Sequence, residues 1–146
     1  MPNFVAIIKP DDPFIHLIRE LQTEAQGRLG IFAMSNISAP DYVVMRDKLA
    51  DWSFFERVFT SADAGMRKPD LSFFKFVLDE IKAEPSSVTF VDDNIENVLS
   101  ARSLGNGILF DDAKRVRQAL RYAVGDPVRR GWAFLQVLIL EATSNR

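Results

Sequence analysis

Three short clusters in this chain hold the side chains that could do chemistry. Ser35-Asn36 places a hydroxyl beside an amide. Arg67-Lys68 supplies two cations. Asp92-Asp93 sets two carboxylates side by side, with Glu96 and Asn97 one helical turn further on. Adjacent carboxylates are hard oxygen ligands, suited to a Mg²⁺ ion that keeps several waters and bridges to phosphate. A serine hydroxyl at a helix start can hold a phosphoryl oxygen. A lysine adds a point charge that neutralises phosphate and restrains nearby carboxylates. Together the clusters describe a Mg²⁺–phosphate site with one part missing, a nucleophile. Each cluster alone has a plain alternative: a strand-end serine, a solvated loop lysine, and aspartates that cap the helix following them. Their succession along the chain is what favours a site.

The elements that must position them alternate in type, as expected of an α/β fold with a parallel sheet. Asp12-Pro13 predicts a helix start, followed by Phe14, Leu17, Ile18, Leu21 and Ala25 at helical spacing, with His16 on the solvated face and Gly27 at the end. Leu29–Met34 is a continuous apolar run, typical of a buried parallel strand. Ser38 and Asp41 resemble a capping box, opening a helix that should reach about Leu49. Val58–Ser61 predicts a short strand and Ala62–Pro69 a loop. Asp70 should cap a helix whose buried stripe is Leu71, Phe74, Val77, Leu78 and Ile81. Val88–Val91 predicts a strand ending at Asp92-Asp93. A helix over Ile95–Leu104 should stop at Gly105, and Gly107–Phe110 predicts a further strand. Two helices are expected to close the chain, over about 112–142. Asp126-Pro127 would start the second, burying Val128, Trp132, Leu135 and Ile139. In open parallel sheets, ligands bind beyond the carboxyl ends of the strands, and all three clusters fall at predicted strand ends or in the loops that follow.

Composition narrows the function classes. The 146 residues correspond to one domain. Apolar residues make up 47% and charged residues 26%, a globular balance. With 18 basic against 20 acidic residues, no strong field recruits nucleic acid or an anionic membrane. The segment from Asp111 onward is net positive, but its arginines are expected on solvated helix faces, without the interleaved aromatic residues of a base-stacking platform. The absence of cysteine removes disulfides, thiolate metal sites and cysteine nucleophiles. His16 is the one histidine, and its predicted solvated position argues against a His-based zinc site or a Ser–His–Asp triad. No apolar run approaches the roughly 20 residues needed to span a bilayer, and no signal peptide is read at the start. A cytoplasmic protein is expected.

The order of the clusters resembles the haloacid dehalogenase-like (HAD-like) hydrolase superfamily. Ser35-Asn36 after an apolar strand is similar to its second motif. Gly65-Met66-Arg67-Lys68-Pro69-Asp70 is similar to its third, with Lys68 in the motif's lysine position. Val91-Asp92-Asp93-Asn94-Ile95-Glu96-Asn97 is similar to its fourth, the Mg²⁺-binding acidic motif. The resemblance runs over roughly Phe14–Phe110. It implies a Rossmann-like three-layer α/β/α parallel sheet, a single domain over 1–146 and Mg²⁺ as cofactor. Implied as metal ligands are Asp92, Asp93 and Glu96. Ser35, Asn36 and Lys68 are implied as phosphate-binding, and Lys68, Asp92 and Asp93 as catalytic. A narrower resemblance, carried by Met34–Ser38, Asp51-Trp52-Ser53, Val58–Ser61 and Gly125–Gly131, is to fungal HAD-like proteins of terpenoid pathways, some of which cyclise prenyl diphosphates while others remove phosphate from them. Asp92-Asp93-Asn94-Ile95-Glu96 also matches D-D-x-x-E, the Mg²⁺–diphosphate motif of the cyclising type.

The family's first motif, a D-x-D after the central first strand, has no counterpart, and neither does its cap domain. Phe4–Ile8 is apolar enough for a strand, but Asp11 and Asp12 behind it are adjacent rather than spaced by one. The resemblance therefore implies a sheet with an empty central place, which Phe4–Ile8 would fill or which would favour a homodimer or a partner chain. Several readings stay open. One is an enzyme acting on a phosphate or diphosphate ester, where metal-assisted departure of diphosphate needs no protein nucleophile. Another is a catalytically degenerate domain that binds a phosphorylated ligand or serves as a partner subunit. A third is a fragment of a longer phosphatase or cyclase whose D-x-D lies upstream of Met1.

Overall fold

Five strands run parallel in a single sheet, in the order β2-β1-β5-β3-β4. This computed structural model describes residues 13–26, 29–48, 53, 55–111, 113–124 and 133–137. In chain order the elements are α1 (Pro13–Ala25), β1 (Leu29–Ser35), α2 (Ala39–Lys48), β2 (Arg57–Thr60), α3 (Ser61–Ala64), α4 (Leu71–Ile81), a 3₁₀ turn (Pro85–Ser87), β3 (Val88–Asp92), α5 (Ile95–Leu104), β4 (Asn106–Leu109), α6 (Ala113–Val124) and β5 (Ala133–Val137). Asp11, Asp12, Gly27, Asp51-Trp52, Gly125–Gly131, Trp132, Ile139 and the Phe4–Ile8 strand candidate lie outside the described residues.

The apolar runs form strands because both sheet faces are covered. All seven residues of β1 and all five of β3 are buried. On one face, Phe32 and Met34 of β1 and Phe59 of β2 pack with Phe73, Phe74, Val77 and Leu78 of α4 and Ala101 of α5. Phe74 meets Phe90 of β3 edge-on at 5.1 Å between ring centres, an arrangement favoured by the aromatic quadrupole. Ile31 and Ala33, one residue out of phase with Phe32 and Met34, point to the opposite face. There α1 packs on β1 and on α6, burying Leu17, Ile18, Leu21 and Val116. The three-layer α/β/α arrangement expected from the sequence is therefore present. His16 is exposed, as its helical phase requires.

Several local expectations need correction. Ser61–Ala64 is a short helix rather than loop. Thr60 caps it through its hydroxyl, and Gly65 closes it at φ +65, a left-handed conformation that glycine adopts without penalty. The buried stripe of α4 includes Phe73, whereas Leu71 is exposed. The plain alternative for Asp92 and Asp93, that they merely cap α5, is excluded. That cap is Asn94, whose side chain accepts hydrogen bonds from the Glu96 and Asn97 amides. Gly105 ends α5 in extended rather than left-handed backbone. A Cβ there would stand 2.3 Å from the Pro85 carbonyl oxygen, so close approach of two chains requires the glycine.

The largest correction concerns the C-terminal part. Of the two helices expected over 112–142, α6 forms, but Ala133–Val137 is a strand. It pairs with β1 on one side (Leu135 opposite Ile31) and with β3 on the other (Leu135 opposite Thr89). β5 thus occupies the central place that the sequence left empty. The apolar run that read as one side of a helix pairs instead because a gap between β1 and β3 would leave two rows of backbone donors and acceptors unmatched.

Candidate functional site

Because every strand is parallel, the carboxyl ends of β1, β2, β3 and β5 share one edge of the sheet. β1 delivers Ser35 and Asn36 there, β2 delivers Thr60 and Ser61, and β3 delivers Asp92. The loop after α3 brings Lys68 inward and leaves Arg67 outward: Lys68 is 1% exposed, while Arg67 is exposed. The Lys68–Pro69 peptide is cis.

Lys68 and Asp92 form a buried ion pair. The ammonium donates to Asp92 Oδ2 at 3.1 Å and to the Met34 carbonyl at 3.3 Å. Asn97, on the first turn of α5, donates to the same Oδ2 at 2.9 Å, while the Asn94 amide donates to Oδ1 at 2.9 Å. A buried charge persists only when paired and hydrogen-bonded, and here each member is compensated. Asn36 holds the cation in place from behind: its Nδ2 donates to the Lys68 carbonyl, and the Lys68 amide donates to its Oδ1, both at 2.8 Å. Ser61 fixes the β1 exit similarly, accepting from the Ile37 amide at 2.8 Å and donating to the Ile37 carbonyl at 3.1 Å.

The structure thus joins Asn36, Lys68 and Asp92 directly, with Ser35 fully buried at the end of β1, immediately before Asn36. Asp93 and Glu96 are exposed. Among the described residues, no three His, Cys, Asp or Glu side chains gather into a group that could hold a metal ion, so Asp92, Asp93 and Glu96 do not form a ready-made set. The donor chemistry is nevertheless compatible with Mg²⁺, which is commonly held by one or two carboxylates, waters and phosphate oxygens. A carboxylate offers about four lone-pair positions. Asp92 uses three of them, leaving one on Oδ1. Asn97 is the site residue whose part sequence reasoning missed. The available signal was its place in the first turn of the helix directly behind the aspartates.

Between the Asn36–Ser38 and Ser61–Asp70 segments lies an open cleft of about 460 Å³, which shares Asn36 with the surroundings of the pair. Arg67 and Asp70 both line it, together with Asn36, Ile37 and Ser38.

The arrangement of a buried loop lysine paired with an aspartate at a strand end defines a class, and comparison with known proteins agrees. A haloacid dehalogenase-like hydrolase family model matches residues 4–105, and the chain belongs to that family. It is 43% identical over 129 residues to a drimenol cyclase from Aspergillus calidoustus and 39% identical over 119 residues to a sesquiterpene phosphatase from Aspergillus oryzae. These matches cover 88% and 81% of this chain but only 24% and 59% of those relatives. Among solved structures, a protein from Corynebacterium glutamicum superposes with a TM-score of 0.63 at 21% identity, covering 82% of this chain and 88% of that one. A HAD family enzyme from Bacteroides thetaiotaomicron, crystallised with magnesium and inorganic phosphate, gives 0.56 at 19% identity, covering 67% and 56%. Both likenesses concern the fold. No helix among the described residues is long and apolar enough to cross a membrane.

Proposed function

We propose that this chain carries the phosphate-handling core of a Mg²⁺-dependent activity that cleaves a phosphate or diphosphate ester of a prenyl (terpenoid) alcohol. The observation that carries the reading is the buried Lys68–Asp92 pair at 3.1 Å, tied down by Asn36 and Asn97 at the shared strand edge. Groups so fully hydrogen-bonded need no rearrangement when charge develops beside them. In this reading Lys68 balances and orients the Asp92 carboxylate, and Asn36 fixes its loop. Asp92, aided by Asp93, would hold Mg²⁺, which when bound neutralises phosphate oxygens. Ser35, at the end of β1, would hold a phosphoryl oxygen. The terpenoid assignment draws on the cyclase and phosphatase relatives.

A specific observation favours a second reading. The central strand β5 reads Ala133-Phe134-Leu135-Gln136-Val137, so the described residues of the sheet centre include no carboxylate, where the family resemblance expects a nucleophile beside the central strand. A domain built this way would bind a phosphorylated ligand without turning it over. One experiment separates the two. The purified chain is incubated with farnesyl diphosphate or an aryl phosphate, with and without Mg²⁺, beside Asp92→Asn. Phosphate or diphosphate release that requires both Mg²⁺ and Asp92 supports the enzyme. Binding without release supports the degenerate domain, and neither binding nor release rejects the site altogether.

A further inference from the structure

The buried pair leaves a question of charge. Lys68 and Asp92 cancel one another, so the inner site presents little net field to a phosphate. A phosphate monoester carries about two negative charges near neutral pH and a diphosphate ester about three. With Mg²⁺ serving the inner phosphate, the second phosphate calls for a further cation whose own charge is not already balanced. Arg67 fits that description. It follows the same turn as Lys68 but faces outward, and it lines the 460 Å³ cleft. Among the described residues it makes no side-chain hydrogen bond or ion pair, whereas Arg57, Arg115, Arg117 and Arg121 are each paired with a carboxylate. Its planar guanidinium suits two-point contact with phosphate oxygens, and the cleft volume lies within the range of small-molecule sites. Asp70 lines the same cleft, caps α4 without a side-chain hydrogen bond, and makes no ion pair with Arg67. Its carboxylate opposes any bound anion.

We infer that this cleft is an outer anion subsite in which Arg67 grips the second phosphate of a diphosphate ester, with Asp70 as its electrostatic counterweight. Arg67 thereby selects diphosphate over monophosphate. The inference rests on the proposed phosphate site and deepens it.

The test is calorimetric titration of the full chain with inorganic pyrophosphate and, separately, inorganic phosphate, both with Mg²⁺. Among the described residues neither the Arg67 nor the Asp70 side chain makes a hydrogen bond or ion pair, so Arg67→Gln and Asp70→Asn should retain the wild-type unfolding midpoint. Arg67→Gln is expected to weaken pyrophosphate about tenfold, the loss of one charge-assisted contact, with little effect on phosphate. Arg67→Lys should recover part of that loss. Asp70→Asn should tighten pyrophosphate about twofold by relieving like-charge repulsion. Equal weakening of both anions by Arg67→Gln, or no weakening of either, would overturn the inference while leaving the inner site standing. A wild-type chain that binds neither anion would overturn both.

Discussion

The strand edge that carries Lys68 and Asp92 and the sheet centre occupied by β5 are held together in different ways. At the edge, segments distant in sequence are joined by side chains, Asn36 to Lys68 and Lys68 to Asp92, and the nearby Asn97 completes the set by donating to Asp92. At the centre, a segment from near the end of the chain is joined to β1 and β3 through backbone pairing. The edge is therefore specified by residue identity, and few substitutions would preserve it. The centre is specified by the geometry of an available slot, which many extended apolar segments would satisfy. A family site can thus stand beside a central strand that lies outside the segment the family model matches.

The harshest way to break this contrast is at the centre. Leu135→Pro removes a ladder donor from a strand paired on both sides, where proline is not tolerated. Loss of the cooperative unfolding transition in circular dichroism is the expected result. A near-wild-type transition would mean that β5 does not hold the two halves of the sheet together. At the edge, Lys68→Met leaves Asp92 buried and uncompensated, and should cost about 3–5 kcal/mol in denaturant unfolding. Adding Asp92→Leu should return much of that loss, because coupled partners are not additive. Full additivity would show that the pair is not one unit. Asn36→Ala strands the Lys68 amide and carbonyl, and is expected to cost about 2 kcal/mol. It should also weaken Mg²⁺-dependent phosphate binding, since the lysine loop loses its tether.

The smallest effect is expected away from both regions, on the outer helices. Glu20→Gln removes the shared partner of Arg117 and Arg121 on the exposed faces of α1 and α6. The Arg121 pKa is raised above its ordinary value, first through its hydrogen bond to Glu24 and then through the charges of Glu24 and Glu20. A raised pKa gives stability that is fully present below the unfolded value and lost only as pH climbs past the folded one. For an arginine that window lies far above neutrality. The substitution should therefore leave the unfolding midpoint nearly unchanged and flat from pH 6 to 9. A midpoint that moved with pH in that interval would point to another titrating group in this network.

Much of the molecule was legible in the residues. The strands β1, β3 and β4 and the helices α1, α2, α5 and α6 follow from apolar runs, caps and helical periodicity. The Ser38–Asp41 pairing at the start of α2 forms as its spacing suggests. The misreadings have physical reasons. In α4, Phe73 and Phe74 are adjacent and both large, so periodicity alone did not fix which side of Leu71 the core would take. At Asp92-Asp93-Asn94, where capping by the aspartates is only the plain alternative, three side chains are all good caps. Asn94 takes the role because Asp92 is turned inward to meet Lys68.

The sequence by itself determined the family, the order of the motifs and the alternation of strands and helices, because each is written in local residue types and spacings. Only the tertiary structure decided that Asn36 clamps the Lys68 loop and that Asn97 completes the surroundings of Asp92. The same holds for the inward turn of Lys68 and the outward turn of its neighbour Arg67. Above all, tertiary structure made Ala133–Val137 a strand. An apolar run of that length is compatible with either a helix or a strand, and the unpaired backbones of β1 and β3, brought to either side of one gap by the rest of the chain, settle which it becomes.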